Sequence, residues 1–326
     1  MEIVFAEVAG NEPASPYVLS RGGAHGFHQL LGLDEASIMA DSGGGYVLGT
    51  QFRGFLDSDR DATVPLGSHG EPLRLVDFHQ YVAILGAAGE HIALNDFSLP
   101  AVAARRGRFG PAQQAASTPA GRTLGYDLCL GRERYAAHMS DLAADMGVSA
   151  IAGDIASVHV ENGLVTGLEL EGGKAVQGDL FVDCSDRRLV ASHVVAEPGF
   201  QDWSTWFPCD RMAIASVSAP GCKDLLAMIE ADDVGWTIQA CVADMLVCTY
   251  AYASGFLGDD AARDSLARQL GGVETSDVAV RALRTGRNSE HWFGNCVALG
   301  PAAATLEPME VSPMHLLQSS VLRLLA

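Results

Sequence analysis

The amino-acid sequence predicts a mixed α/β fold, and three consecutive segments carry this prediction. Residues 125–148 have the apolar spacing of an amphipathic helix, and residues 151–177 alternate with the period of two that is typical of strands. Residues 179–184, DLFVDC, then form a short apolar strand that runs into a turn. A buried strand of this kind indicates a parallel, Rossmann-like module, and the alternating strands indicate antiparallel sheet beside it.

The composition limits both the fold and the partners. The chain has 326 residues, of which 48% are hydrophobic, and this suits one large or two moderate domains with a buried core. Its formal net charge is −19, from 21 basic and 40 acidic residues. Because a charge of this sign is repelled by phosphate backbones and anionic lipid, we expect neither nucleic acid nor a membrane as a partner.

The seven cysteines are scattered along the chain and include no C-x-x-C pair. This spacing argues against a zinc cage and against a disulfide framework, and it favours a reducing compartment. The first residues lack the basic and apolar regions of a signal peptide, and no apolar run is long enough to span a bilayer. The sequence therefore predicts a cytoplasmic protein.

The first predicted element is a buried strand over residues 2–8, EIVFAEV, which ends in an acid at Glu7. In dinucleotide-binding units the second strand ends in a carboxylate that accepts hydrogen bonds from ribose hydroxyls. An ordinary charged residue at a strand end explains Glu7 equally well. The G-x-G-x-x-G turn that should precede such a strand is missing, because Gly22-Gly23 and residues 43–45 do not join a strand to a helix in the required way.

Helices are predicted next along the chain. Residues 27–39 contain two short helical patterns separated by Gly32, with Asp34 as the N-cap of the second. Residues 57–122 are less regular, with a helix predicted over residues 78–88, and their histidines do not have the spacing of a metal site. Residues 259–270 again form a helical pattern, with acidic residues in the first turn.

The central helix and the strands after it have clear boundaries. Four apolar side chains share one helix face and predict contact with the core: Tyr135, Met139, Leu142 and Met146. Gly147 ends the helix, and hairpin turns at Asn162-Gly163 and Gly172-Gly173 join the strands that follow. This order of elements is seen in FAD-binding folds of the glutathione reductase type, where the last strand closes on the adenosine half of the cofactor.

The stretch from Trp292 to Met314, WFGNCVALGPAAATLEPMEVSPM, carries most of the functional information. A short apolar strand turns at Gly300-Pro301 into small residues, and two acids, Glu307 and Glu310, follow. A strand that ends in glycine lets backbone N–H groups approach a ligand closely. The alternative is a tight strand-to-helix turn with two solvated carboxylates.

Four segments resemble the flavin-dependent tryptophan halogenase family in the same order. They are the DLFVDCS element at 179–185, the PCDR element at 208–211, the strand at 247–256, and the W-x-GNC…EP-M-E stretch at 292–310. The resemblance implies reduced FAD delivered by a separate flavin reductase, and a small aromatic substrate of the indole type. It also implies a catalytic acid, Glu310, whose carboxylate stabilises the positive charge that develops on the ring. The cofactor contacts that we expect from it are Glu7, Ile155, Asp183, Cys184, Ser185, Gly300, Pro301 and Ala302.

The chain departs from the family pattern at residues that should carry chemistry. Val47 stands where the family has the lysine that carries or orients the oxidant, and a valine has no amine. Pro313 replaces a residue whose backbone N–H binds halide, and Asp186 replaces a glycine. Trp236 keeps only the first half of the GW-x-W-x-IP hallmark.

We therefore expect a flavoprotein scaffold in which halogenation is lost or altered. Its parts are a partial FAD module (1–56), a substrate-side insertion (57–124), the FAD module with its meander (125–200), a substrate-side sheet (201–290), and a return to the FAD module with the start of a C-terminal helix (291–326). The alternatives are a flavin hydroxylase without a halide site and a non-catalytic paralogue that binds a small aromatic or a protein partner.

Overall fold

The computed structural model describes residues 2–8, 15–20, 24–56, 61–110, 124–185, 189–194, 199–309 and 313–326. Its strands are β1 Val4–Glu7, β2 Tyr17–Ser20, β3 Gly45–Val47, β4 Gly49–Arg53, β5 Ala62–Pro65, β6 Asp127–Gly131, β7 Ser149–Ala152, β8 Ile155–Glu161, β9 Leu164–Leu170, β10 Lys174–Val176, β11 Phe181–Asp183, β12 Phe200–Asp202, β13 Arg211–Ser218, β14 Ala227–Ala231, β15 Gly235–Val242, β16 Met245–Tyr252, β17 Ala279–Ala282, β18 Gly286–Asn288, β19 Trp292–Phe293, β20 Cys296–Ala298 and β21 Ala304–Thr305.

The α-helices of the described residues are α1 Ala24–Leu30, α2 Glu35–Ser42, α3 Phe78–Ala87, α4 Leu99–Arg105, α5 Arg132–Asp145, α6 Ala191–Val194, α7 Asp259–Leu270 and α8 Pro313–Leu325. Short 3-10 turns occupy Leu94–Phe97, Thr275–Asp277 and Gly300–Ala302. None of these helices combines the length and the hydropathy needed to cross a bilayer.

The largest sheet has seven strands in the order β17-β13-β16-β15-β14-β4-β5. Its neighbours are antiparallel, except that β14 and β4 run parallel. Helix α7 covers one face, where Ala262 and Leu266 pack against Tyr250 and Tyr252. This sheet is the antiparallel part that the sequence predicts, with one parallel pair added.

Two pairs of parallel strands lie in segments where the sequence predicts a Rossmann-like module, and each pair belongs to its own small sheet. β1 pairs with β7, which brings Glu7 opposite Ala152, and β11 pairs with β20, which brings Asp183 opposite Ala298. The meander β8-β9-β10 follows β7 and is antiparallel, as predicted. Because parallel strands end on the same side, the ends of each pair meet at one edge.

Two predictions about the strands need correction. The strand predicted from residue 151 to 160 is broken at Gly153, where φ is 153°, so that β7 pairs with β1 while β8 enters the meander. The strand predicted as buried at residues 2–8 is half exposed, since Phe5 is 51% exposed. Of the described strands only β7 pairs with it.

The apolar stripe of α5 is core only at its beginning. Tyr135 is buried against Leu128 and Leu130 of β6, whereas Met146 is 73% exposed. Met146 is the C-cap residue and lies past the sheet that covers the first turns. The prediction that the whole stripe is core is therefore wrong for its last residue.

One pair of cysteines is bonded, although the sequence argues against a disulfide framework. Cys222 and Cys241 form a disulfide with their Cα atoms 5.6 Å apart, a separation that suits such a bond. The two residues are 19 positions apart, so their spacing along the chain gives no sign of the pairing. The other five cysteines, at 129, 184, 209, 248 and 296, form no disulfide among the residues that the structure describes.

Candidate functional site

The first part of the site is the edge where β11 and β20 end together. Leu299 N donates to the Asp183 carbonyl oxygen at 2.9 Å and extends the pairing to the last residue. Gly300 follows with φ at 56°, a left-handed conformation that favours glycine. It is buried, and a Cβ atom there would lie 3.3 Å from Leu317 Cδ1. The turn therefore packs closely against α8, and its backbone N–H and C=O groups are the atoms that could contact a ligand.

The predicted cofactor contacts at 183–185 form an ordered turn. The buried Asp183 carboxylate accepts hydrogen bonds from Ser185 N at 2.9 Å, from Ser185 Oγ at 2.6 Å, and from Val190 N and Ala191 N at 2.9 Å each. Both of its oxygens are used inside the protein, so this side chain holds the turn in place. A contact with a ligand at this turn would come from its backbone or from Cys184.

Cys184 follows the buried carboxylate directly and is the exposed free thiol of the described residues. Shielding of its sulphur from water and the negative charge of Asp183 raise the pKa of Cys184 to about 11. A thiol with so high a pKa is almost entirely protonated at neutral pH and is a weak nucleophile. Nucleophilic catalysis by Cys184 is therefore not favoured.

The second part lies where β1 and β7 end. Gly153 N donates to the Glu7 carbonyl oxygen at 3.0 Å, and Asp154 and Ile155 follow directly. Glu7 is exposed, as a carboxylate that binds a ligand needs to be. Among the residues that the structure describes, Asp154 Oδ1 is buried without a hydrogen-bond partner. Since buried carboxylate oxygens normally have partners, this atom has an unused acceptor position near Glu7.

The third part is a buried acid, Glu307. It is 8% exposed and accepts a short hydrogen bond from Trp236 Nε1 of β15. Burial and the nearby Glu307 carboxylate raise the pKa of the Cys209 thiol. The sequence left open that Glu307 is solvated, and the structure contradicts that alternative. The donor, Trp236, is 71 positions away on the chain, so the sequence around Glu307 does not predict this contact. The retained tryptophan of the family motif was the sequence feature that could have indicated it.

Val47 ends β3 and is 4% exposed. It lies in an apolar cluster that includes Ala227, Ala240, Val242 and Val247 from the seven-stranded sheet and its edges. The next backbone N–H, of Leu48, donates to the Leu225 carbonyl oxygen at 2.7 Å and ties β3 to that sheet. The position expected to hold a lysine is thus part of a packed core.

The remaining predicted site residues are placed as follows. Ala302 is fully buried, and its carbonyl oxygen accepts a hydrogen bond from Asn288 Nδ2 at 2.7 Å, whereas Pro301 is exposed. Glu310 and Asp186 lie outside the described residues. Pro313 is the first residue of α8. The catalytic role of Glu310 therefore stays a prediction.

A family model described as tryptophan halogenase matches residues 23–326. The chain belongs to the tryptophan halogenase family. This confirms the resemblance that the four sequence segments indicate.

Characterised relatives in this family share only part of their length with the chain. The tryptophan 6-halogenase ThaL of Streptomyces albogriseolus is 28% identical over 167 residues, which are 49% of this chain and 31% of the relative. The tryptophan 7-halogenase KtzQ of Kutzneria sp. (strain 744) is 29% identical over 211 residues, which are 58% of this chain and 38% of the relative. The aligned part thus spans about a third of these halogenases.

Solved halogenase structures match the whole chain. BrvH, a flavin-dependent halogenase from Brevundimonas sp. BAL3, superposes with a TM-score of 0.90 at 27% identity, covering 99% of this chain and 65% of that one. A flavin-dependent halogenase from Xanthomonas campestris superposes with a TM-score of 0.91 at 27% identity, covering 100% of this chain and 65% of that one. The mixed α/β fold of the tryptophan halogenase family is therefore present throughout the chain.

Proposed function

We propose that this chain provides the flavin- and substrate-binding part of an FAD-dependent oxidoreductase that acts on a small aromatic substrate of the indole type. The observation that supports this most directly is the shared edge of β11 and β20, which runs into the buried, left-handed Gly300. In open α/β sheets, ligands bind beyond the carboxyl ends of parallel strands.

The residues at the two strand edges fit FAD. Glu7 and the backbone of Ile155 would hold its adenosine half, since ribose hydroxyls and adenine need acceptors of this kind. The close-packed backbone at Gly300-Pro301-Ala302 would lie against the flat ring system. When bound in its reduced form, FAD supplies the electrons that activate dioxygen, and a separate flavin reductase would provide that form.

Residues 307–310 contain two acids, Glu307 and Glu310, and this acidic segment is proposed to face the substrate. Glu310 follows Met309 on the segment that Glu307 anchors, and a carboxylate close to an aromatic ring stabilises the positive charge that develops there by a few kcal/mol, roughly. Val47 supplies no amine to carry an oxidised halogen. We therefore do not propose halogenation through a side-chain amine at this position.

A second candidate function, flavin-dependent hydroxylation, is favoured by the environment of Val47. Hydroxylation needs neither an amine nor a halide site, and position 47 lies in an apolar cluster of the core. Halogenation and hydroxylation share FAD and the aromatic substrate and differ in the atom that is added to the ring.

Incubation of the purified protein with FAD, a flavin reductase, NADH, indole and bromide tests these proposals, with product masses read by mass spectrometry. A hydroxylated product identifies the second candidate. A brominated product that disappears in Glu310→Gln establishes halogenation by a route without the lysine. A colourless protein that takes up no FAD and gives neither product contradicts an enzymatic function and favours the non-catalytic paralogue.

A further inference from the structure

Glu307 is a carboxylate in the interior of the protein. It belongs to the residues between β21 and α8 and is 8% exposed. Taking a carboxylate out of water is costly unless donors replace the water. One donor here is the indole N–H of Trp236, which is itself buried, and the Cys209 thiol is hydrogen-bonded to the same carboxylate.

Trp236 is held more firmly than a loop residue could be. It lies in β15, where it is opposite Ala231 of β14 on one side and Ala251 of β16 on the other. Its ring packs in a cluster with Cys209, Met212, Ile229 and Ile238. The position of its N–H is therefore fixed by the centre of the seven-stranded sheet.

The chain after Glu307 is fixed at two further points. Met309 packs against the cluster that contains Trp236, and Met309 N donates to the Glu307 carbonyl oxygen at 2.9 Å, closing a turn around Pro308. Glu310 is the next residue. The last described residues before it are thus tied to the sheet by a buried hydrogen bond, an apolar contact and a closed turn.

Stability alone does not explain this arrangement. Two apolar side chains of similar shape in place of Trp236 and Glu307 would be nearly neutral for the free energy of unfolding, because a buried hydrogen-bonded pair contributes little net stabilisation. A directed N–H to carboxylate bond does what an apolar contact cannot, since it fixes the direction in which the chain leaves Glu307.

We propose that Glu307 and Trp236 form a positioning pair that fixes residues 307–309 on the sheet, and that loss of this pair impairs the catalytic role proposed for Glu310. The inference rests on the proposed function for the role of Glu310. It assigns the retained tryptophan a task, which is to hold the acidic segment through its N–H.

Backbone and indole NMR of ¹⁵N-labelled protein tests the pair without cofactor or substrate. Trp236→Phe removes the donor and keeps a ring, and Glu307→Gln keeps an acceptor oxygen but removes the charge. The matched control is Trp292→Phe, which removes an indole N–H bond to the Gly294 carbonyl oxygen at 2.9 Å on an exposed strand. We expect the amide signals of Met309 and Glu310 to shift most in Trp236→Phe, less in Glu307→Gln, and not at all in Trp292→Phe.

The result that overturns the inference is a Glu310 amide signal that stays in place in both Trp236→Phe and Glu307→Gln. If the Trp236→Phe variant does not fold, the Glu307→Gln variant tests the inference through the shifts of the Glu310 amide signal and of the Trp236 indole signal. In the complete system with FAD and reductase, we expect kcat to fall by about tenfold or more in Trp236→Phe with little change in KM, as for a misplaced catalytic group. A wild type without turnover contradicts the proposed function and leaves the NMR result to decide the positioning pair.

Discussion

At position 47 the chain has a valine where the resemblance to the family implies a lysine. Val47 is 4% exposed in an apolar cluster, so an ammonium group placed there has no water around it. We expect Val47→Lys to lower the free energy of unfolding by about 3 kcal/mol, the usual effect of an unpaired buried charge. Restoring the lysine alone should therefore not restore halogenation.

Urea denaturation checks this prediction for position 47. The matched control is Val64→Lys on the edge strand β5, where the side chain is 52% exposed and the free energy of unfolding should change little. Equal unfolding midpoints for the two lysine variants would show that position 47 faces water, contrary to the packing described here.

The Cys184 thiol gives a prediction about pH. Its pKa of about 11 lies above the ordinary value, so the reactive thiolate is scarce at neutral pH and increases as the pH rises towards 11. We expect the iodoacetamide alkylation rate at this residue to rise about tenfold per pH unit between pH 7 and pH 9. Peptide mass spectrometry measures the rate, with Cys184→Ser as the control, and a rate that levels off below pH 9 would contradict the raised pKa.

Residue-level prediction worked where the cause is local. Asp34 caps α2 through Asp34 Oδ2, which accepts a bond from Ser37 N at 3.0 Å, as the sequence indicates. The burial of Glu307 could not be predicted in this way, because its donor is 71 positions away and belongs to the seven-stranded sheet. The disulfide between Cys222 and Cys241 was not predicted either, because these two residues are 19 positions apart on the chain.

At the scale of elements, two helix starts offer a direct comparison. Asp34 and Asp77 are the N-cap residues of α2 and α3, but within the described structure only Asp34 makes a side-chain cap bond. We expect Asp34→Ala to reduce the free energy of unfolding by about 1 kcal/mol, the typical contribution of a cap bond. Thermal denaturation of Asp34→Ala and Asp77→Ala measures the difference, and equal losses would contradict the role of the cap.

Strand patterns in the sequence predict where strands and turns lie along the chain better than they predict which strands pair. The hairpin turns at Asn162-Gly163 and Gly172-Gly173 are present with positive φ angles, because turn chemistry is local. The break at Gly153 and the parallel pairing of β14 with β4 were not predicted, since both depend on which strands become neighbours. Period-two alternation indicates which side chains face the core, but it does not indicate which strand pairs with which.

At the scale of the molecule, the predicted division into a parallel part and an antiparallel sheet agrees with the fold. The β11–β20 pair and the seven-stranded sheet match halogenase structures along the whole chain. Motif order predicted the resemblance to this family, whereas the pairing of the strands in DLFVDCS and GNCVALG, which end at one edge, is seen only in the structure. The sequence could not show that the acid after that edge is buried under Trp236.

An FAD titration followed by quenching of flavin fluorescence tests the proposal that the β11–β20 edge binds the flavin. Gly300→Ala adds a Cβ atom at the crowded, left-handed turn, whereas Gly271→Ala adds one at a φ of 61° with no described atom within 4 Å. Both variants strain the backbone, but only Gly300 lies at the proposed site. We predict that wild type and Gly271→Ala bind FAD alike and that Gly300→Ala binds about tenfold more weakly, a loss of about 1.4 kcal/mol. A wild type that binds no FAD, or a Gly300→Ala variant that binds it as tightly as wild type, would contradict the account.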